Sequence, residues 1–164
     1  MGGRLLRLAL LATAVAVAAC DDDDDDGTGP SPVTEEFSAT LTGAAERPTP
    51  VVTAATGTAE FTVSGDTIYF TIVVDSLSGP PTAAHIHGPS GPEGVAGPIL
   101  GFTLAADTTL TSGTITSGFA TAPTDPAISQ DSLLVLMRNG NAYVNVHTVL
   151  NPDGEIRGQI IQQP

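Results

Sequence analysis

Short runs of alternating apolar and polar residues, separated by turn residues, occupy most of the chain after residue 35. A period of two places successive side chains on opposite faces of a strand, so these runs indicate β-strands with one buried face. The clearest pair is 57–63 and 67–74, joined by Ser64-Gly65-Asp66, a signal for a tight hairpin. The pattern predicts an all-β fold, an antiparallel, Greek-key-like β-sandwich of about eight short strands.

One segment departs from this period. Residues 125–138 start at an Asp-Pro pair and stop before Asn139-Gly140, which is typical of a helix that ends at a glycine. We therefore predict one short helix before the penultimate strand. The apolar run 133–137 is equally typical of a buried strand, so the sequence leaves that alternative open. The other strands are predicted at 37–42, 85–87, 142–149 and 155–161, and a second hairpin at 99–104 with 114–119.

The first twenty residues have the composition of a secretion signal. Arg4 and Arg7 precede an apolar stretch at 8–19, which is shorter than the roughly 20 residues that span a bilayer. Its end, Val17-Ala-Ala-Cys20, resembles the bacterial lipobox, and this resemblance implies cleavage before Cys20 and lipidation of its thiol. The alternative is an ordinary signal peptide that is cut elsewhere. We expect a lipoprotein signal peptide at 1–20, with the membrane as partner through the N-terminal lipid.

Six consecutive aspartates, Asp21 to Asp26, follow the cysteine and lead into a stretch that contains glycine and proline. Neighbouring like charges repel and this composition buries no core, so residues 21–34 are predicted to be a disordered tether. Calcium binding by the aspartates is disfavoured because no loop fixes their oxygens. Residues 35–164 then form the domain, and the expected location is the bacterial cell envelope, in the periplasm or on the cell surface.

Composition excludes several classes of function. The formal charge is −13, from 18 acidic and 5 basic residues, whereas binding to nucleic acid needs clustered Lys or Arg. A single cysteine allows neither an internal disulfide nor a cysteine-based zinc cluster. The sequence contains no Gly-x-Ser-x-Gly nucleophile elbow and no phosphate-binding glycine loop, so no catalytic residue is assigned. It identifies no protein or matrix partner.

All three histidines fall on one predicted strand face. His85 and His87 flank the apolar Ile86, and His147 ends the run Tyr143-Val-Asn-Val-His147. If the apolar residues of these strands form the core, their polar residues share the opposite face, which we call the histidine face. Its predicted members are His85, His87, Tyr143, Asn145, His147, Glu155 and Arg157.

Two histidines spaced two residues apart on a strand, with a third from another strand, can supply three imidazole ligands to one metal ion. We therefore name His85, His87 and His147 as candidate metal ligands, with copper or zinc as the candidate ions. The alternative is that the rings are structural and hydrogen-bonded to backbone carbonyls or to Glu155. Glu155 and Arg157 are expected to form a surface ion pair.

Several separated motifs give the chain a resemblance to the chordin domain (CHRD) family over nearly all of 37–160. They are Leu41-Thr-Gly43, Glu46-Arg-Pro48, Gly57-Thr-Ala-Glu-Phe61, Ala84-His-Ile-His-Gly88, Tyr143-Val-Asn-Val-His-Thr148 and Asn151-Pro-Asp-Gly-Glu-Ile-Arg-Gly158. The resemblance implies a β-sandwich of the kind found in animal chordin and in secreted bacterial proteins. It implies a binding or structural module rather than an enzyme.

A fainter resemblance is to copper/zinc superoxide dismutase, which also carries a His-x-His strand pair, a later strand histidine and an arginine near its C-terminus. His85, His87, His147 and Arg157 follow the same order. The bridging histidine, the zinc-site cluster and the disulfide of that family are missing here. This resemblance implies, as the alternative function, a copper-binding redox or metal-handling protein in which Arg157 attracts an anion.

Overall fold

The computed structural model describes residues 33–106 and 109–164. The predicted signal peptide, Cys20 and nearly all of the tether lie outside the described residues. The strands are β1 Thr34–Thr42, β2 Thr56–Ser64, β3 Thr67–Asp75, β4 Pro81–His87, β5 Pro98–Gly101, β6 Gly113–Ala120, β7 Tyr143–Thr148, β8 Ile156–Gln159 and β9 Ile161–Gln162. The helices are a 3-10 turn, Gly43–Ala45, and α1, Gln130–Arg138. Within these ranges no helix has the length and apolar character needed to cross a membrane.

The described strands form one antiparallel sheet in the order β5-β4-β7-β8-β1-β2-β3-β6, with β9 beside β1. The sheet curls into a half-barrel, so its two ends approach each other across a shared core. Phe102, after β5, contacts the rings of Phe61 on β2 and Phe70 on β3, at centroid distances of 6.4 and 4.6 Å. The prediction of an all-β, antiparallel, sandwich-like fold is confirmed.

The hairpin of β2 and β3 shows how alternation builds this core. Gly65 occupies the turn with φ 56°, a conformation that glycine adopts without steric penalty. The register pairs Ala59 with Ile72 and Val63 with Ile68, and all four side chains are at most 2% exposed. Each fully buried valine or isoleucine stabilises the fold by about 1.5–3 kcal/mol relative to an exposed one.

The predicted helix is confirmed as α1, and the strand alternative for this segment is wrong. Ser129 caps its N-terminus by accepting a hydrogen bond from the Ser132 backbone N–H. Leu133 and Met137, one turn apart, are both 0% exposed, so one apolar stripe of the helix packs into the core. Because the short β9 also forms, three strands follow the helix rather than two.

The second predicted hairpin is wrong. The segment 98–101 pairs with β4, and β6 pairs with β3 over most of its length. The two predicted partners are linked outside the sheet ladder, by hydrogen bonds such as Ala105 N–H to Ile115 O at 2.7 Å. Alternation identifies which face of a strand is buried, but it does not identify the neighbouring strand. Here β5 pairs with the strand before it, and β6 pairs with the more distant β3.

The histidine face lies on β4, β7 and β8, which are adjacent in the sheet. Strand β8 joins this group to β1 through a close backbone approach at Gly158. A Cβ atom at that position would lie 2.1 Å from the carbonyl oxygen of Thr40. Only glycine fits there, and the approach fixes the edge of the site against the rest of the sheet.

Candidate metal centre

The antiparallel pairing of β4 and β7 brings the three histidines together. His85 pairs with Asn145 and Ala83 pairs with His147, so the imidazoles come from neighbouring positions on one face. One ring nitrogen from each histidine lies within 4.8 Å of the corresponding nitrogens of the other two. His85 Nδ1 and His147 Nε2 are 3.3 Å apart. A tetrahedral ion with metal–nitrogen bonds of about 2.0–2.1 Å separates its ligand nitrogens by about 3.3 Å.

Backbone carbonyls orient two of the three rings. His87 Nδ1 lies 2.9 Å from the Ala96 oxygen, and His147 Nδ1 lies 3.0 Å from the Pro152 oxygen. A carbonyl oxygen accepts hydrogen bonds and cannot donate them, so both Nδ1 atoms carry a proton, and in the neutral form of each ring Nε2 is the atom with the lone pair. A hydrogen bond from the second ring nitrogen to a carbonyl is the usual support for a metal-ligating histidine.

His87 Nε2 has no hydrogen-bond partner although it is buried. The residue is 8% exposed, and an unpaired buried acceptor costs about 1–3 kcal/mol. Burial lowers the pKa of His87 to about 4, and the neighbouring His85, His147 and Arg157 act in the same direction. Burial and His147 also lower the pKa of His85. His85 and His87 are therefore neutral at neutral pH, the form in which imidazole binds metals.

Most of the histidine face is covered, and only His85 and His147 are partly exposed, which corrects the prediction of an outer face. Tyr143 and Arg157 are each 2% exposed, and Asn145 is 5% exposed. The cover is the loop 88–97, which we call the covering loop. Alternation along β4, β7 and β8 separates the two faces of the sheet, but it contains no information about a loop that folds back over one of them.

Arg157 holds the covering loop in place. Its guanidinium donates to the carbonyl oxygens of Gly94 at 2.7 Å and Gly91 at 3.1 Å. The guanidinium carbon also lies 3.5 Å from the centre of the Tyr143 ring, and the Tyr143 ring stacks on His87 with centroids 5.0 Å apart. These contacts connect β8, β7 and β4 in one layer beneath the loop.

Glu155 departs from its predicted place on the histidine face. It is 0% exposed, and its carboxylate accepts hydrogen bonds from Thr53, from the Ser78 N–H and hydroxyl, and from Thr148, all at 2.8–2.9 Å. Burial alone would raise the pKa of this carboxyl, but these hydrogen bonds hold it below its usual value. Strand β8 starts only at Ile156, so Glu155 lies outside the alternation, and the surface ion pair expected with Arg157 is wrong.

Glu46 belongs to the site's surroundings, although no periodic pattern pointed to it. It follows the 3-10 turn and is 3% exposed, and its Oε2 lies 3.5 Å from Asn145 Nδ2. Glu46 Oε1 and Asn145 Oδ1 are buried without a hydrogen-bond partner. Gly154, with φ 130°, leaves room for these two groups, since a Cβ would lie 2.9 Å from Glu46 Oε1. The only sequence signal was the Glu46-Arg-Pro48 motif.

Chemically, the cluster offers three imidazole nitrogens from neighbouring strands of the sheet. Among the described residues, the group contains no cysteine and no carboxylate. His85 and His147 are partly exposed, so the cluster has a side that solvent reaches, while His87 forms its floor. Imidazole donors suit copper, zinc, nickel and iron.

Comparison with known families matches the CHRD domain to residues 37–160, which include every residue of the centre. Comparisons with curated proteins and with solved structures give no match. The matched range also includes Glu46 and Arg157, which are both buried. The chain therefore belongs to the CHRD domain family, and this membership suggests a binding or structural module.

Proposed function

We propose that this CHRD domain is a metal-binding module whose ligands are His85, His87 and His147. The observation that carries the proposal is the unpartnered lone pair of His87 Nε2, buried among two other imidazoles. Purely structural histidines would be expected to use their buried nitrogens in hydrogen bonds. His147 follows this expectation, with Nδ1 on the Pro152 oxygen and Nε2 hydrogen-bonded to His85 Nδ1, whereas His87 uses Nδ1 on the Ala96 oxygen and leaves Nε2 unpaired.

Equilibrium dialysis against copper or zinc tests this proposal. The purified protein is expected to retain a single equivalent of metal. The variant with His85→Ala, His87→Ala and His147→Ala together is expected to retain none. Ser117→Ala, on the exposed surface of β6, is the matched control and should bind like the unmodified protein. If the triple variant is folded, as checked by circular dichroism, and binds metal equally well, the proposed metal site is refuted.

Redox chemistry of the dismutase type is the alternative function. The geometry around Arg157 disfavours one part of that alternative, the attraction of an anion by the Arg157 side chain. Its guanidinium is 2% exposed and donates to two carbonyls of the covering loop. A group so engaged is poorly placed to attract an anion from solution. We therefore place metal binding ahead of dismutation. A superoxide assay on the copper-loaded protein distinguishes the two, and we expect no activity above that of the triple histidine variant.

We further propose that the protein is a lipoprotein of the bacterial cell envelope, held by a lipid on Cys20 with residues 21–34 as spacer. The support is sequence alone: an apolar stretch ending in the chain's one cysteine, followed by six aspartates. Cys20→Ala should move the protein from the membrane fraction to the soluble fraction, whereas Thr28→Ala in the spacer should not. If the Cys20→Ala variant stays in the membrane fraction, the proposed lipid attachment at Cys20 is refuted. Protease treatment of intact cells separates a periplasmic from a surface location.

A further inference from the structure

The charge of the three-histidine centre restricts which ion it suits. A ligating histidine is neutral, so His85, His87 and His147 together contribute no negative charge. No carboxylate of the described residues belongs to the group. A divalent ion in this centre therefore keeps its full double charge, whereas a monovalent ion keeps a single charge.

The nearest buried cation adds to this restriction. Arg157 stacks on Tyr143, and Tyr143 stacks on His87, so one positive charge lies two ring layers from the centre. Glu155 accepts hydrogen bonds from three hydroxyls and one backbone N–H, and Glu93 pairs with Arg47 at 3.1 Å. Glu46 interacts with Arg157, but burial raises the pKa of this carboxyl to about 7, so it offsets the charge of Arg157 only in part.

Because the site is partly buried, the charge of the bound ion has a larger effect on its binding free energy. His87 is 8% exposed beneath the covering loop, so an ion that binds there gives up part of its hydration. By the Born relation, the electrostatic penalty of dehydration is about four times larger for a doubly charged ion than for a singly charged one of the same size.

We propose that the centre prefers monovalent copper, Cu(I), over Cu(II) and zinc, so that the protein holds copper in its reduced state. This inference rests on the proposed function, because it requires that the three histidines bind metal. Imidazole suits copper among the first-row metals, and Cu(I) is the copper ion whose charge this neutral, partly buried ligand set tolerates best.

The test compares three dissociation constants of the purified protein: for Cu(I), by anaerobic competition with a chromophoric chelator, and for Cu(II) and zinc by competition in air. We expect Cu(I) to bind at least about tenfold more tightly than either divalent ion. Tighter binding of Cu(II) or zinc would overturn the preference while leaving the metal site intact. Failure of all three ions to bind would overturn the proposed function together with this inference.

A variant that adds a carboxylate tests the physical reason. Ala83 pairs directly with His147 on β7 and lies two residues before His85 on the same face of β4, and its side chain is partly exposed. Ala83→Asp should favour the divalent ions and reduce the Cu(I)-over-Cu(II) ratio by about tenfold to hundredfold. At 59 mV per tenfold change, the reduction potential of bound copper should fall by about 60–120 mV.

The control is Ser117→Asp, which adds the same charge to the exposed surface of β6, a strand at the far end of the sheet order from β4. It should leave the ratio within about twofold. An unchanged ratio in Ala83→Asp, with its metal binding retained, would overturn the electrostatic explanation. If that variant fails to fold, the three dissociation constants of the unmodified protein still decide the preference.

Discussion

Glu46 gives the sharpest prediction for stability. The carboxyl is 3% exposed, its Oε1 lacks a hydrogen-bond partner, and its Oε2 has one long contact of 3.5 Å to Asn145. Burial raises the pKa of Glu46 from 4.5 to about 7, although Arg157 and the hydrogen bonds from Arg47 and Asn145 act against it. Between these two pKa values the folded protein therefore retains a proton on this carboxyl that the unfolded chain has released.

The sign and size of the effect of Glu46 on stability follow from its pKa values in the folded and unfolded states. Because the folded-state pKa is the higher one, the stabilising contribution of the Glu46 proton is fully present below about pH 4.5 and is lost as the pH rises through about 7. The full contribution is about 3 kcal/mol, from 1.36 kcal/mol per pKa unit. Glu46→Gln keeps the shape of the neutral carboxyl and removes the titration, so it should stabilise the protein at alkaline pH.

Urea unfolding of the metal-free protein at about pH 5 and about pH 8 measures this effect. The gain in unfolding free energy from Glu46→Gln should grow by about 2–3 kcal/mol between the two pH values. His87, whose pKa burial lowers to about 4, contributes a pH dependence of opposite sign, with stability lost as the pH falls from 6.5. That contribution is common to both proteins and cancels in the comparison.

Glu60→Gln serves as the control, because Glu60 is an exposed carboxyl on β2. As a substitution on the exposed surface, it should change the unfolding free energy by no more than about 0.5 kcal/mol in either buffer. If the gain from Glu46→Gln is independent of pH, or grows as the pH falls, the description of Glu46 as a buried, protonated carboxyl is wrong.

Two further predictions concern close packing and buried charge. Gly158→Ala should destabilise the protein by about 1–3 kcal/mol or more, because the added Cβ would clash with the Thr40 oxygen. Thermal unfolding measures this effect. Gly91→Ala is the control, since a Cβ at that position would have no atom within 4 Å. Glu155→Gln should destabilise it by about 1–3 kcal/mol, because an amide nitrogen replaces one of two oxygens that accept hydrogen bonds. The exposed Asp153→Asn should be nearly neutral in the same assay, and a neutral Gly158→Ala or Glu155→Gln would contradict the packing described above.

The core positions were within reach of the sequence. Alternation predicted that Ile86, Val144, Val146 and Ile156 share a buried face, and all four are 0% exposed. The same periodicity predicted that the three histidines lie on one face, and the structure brings their nitrogens within 4.8 Å. Both inferences require only the two-residue period of a strand and the pairing register of β4 with β7. A buried face strongly specifies that register.

The glycines and prolines of 88–94 indicated a loop fit to lie beside the histidine pair, but the contacts around the centre were out of reach. The covering loop is rich in glycine and proline and has no period, so its hydrogen bonds to Arg157, Tyr143 and His87 could not be read from the pattern. Glu155 was misplaced because it precedes β8 and does not follow the alternation. Glu46 reaches Asn145 from 99 residues away in sequence, and such contacts depend on tertiary folding alone.

X-ray absorption of the copper-loaded protein tests whether His85, His87 and His147 bind one metal ion. We expect nitrogen neighbours at about 2.0 Å, with the outer-shell scattering that imidazole rings produce, and loss of that signal in the triple alanine variant. A first shell without imidazole scattering, or the same spectrum from the triple variant, would contradict the proposed metal site.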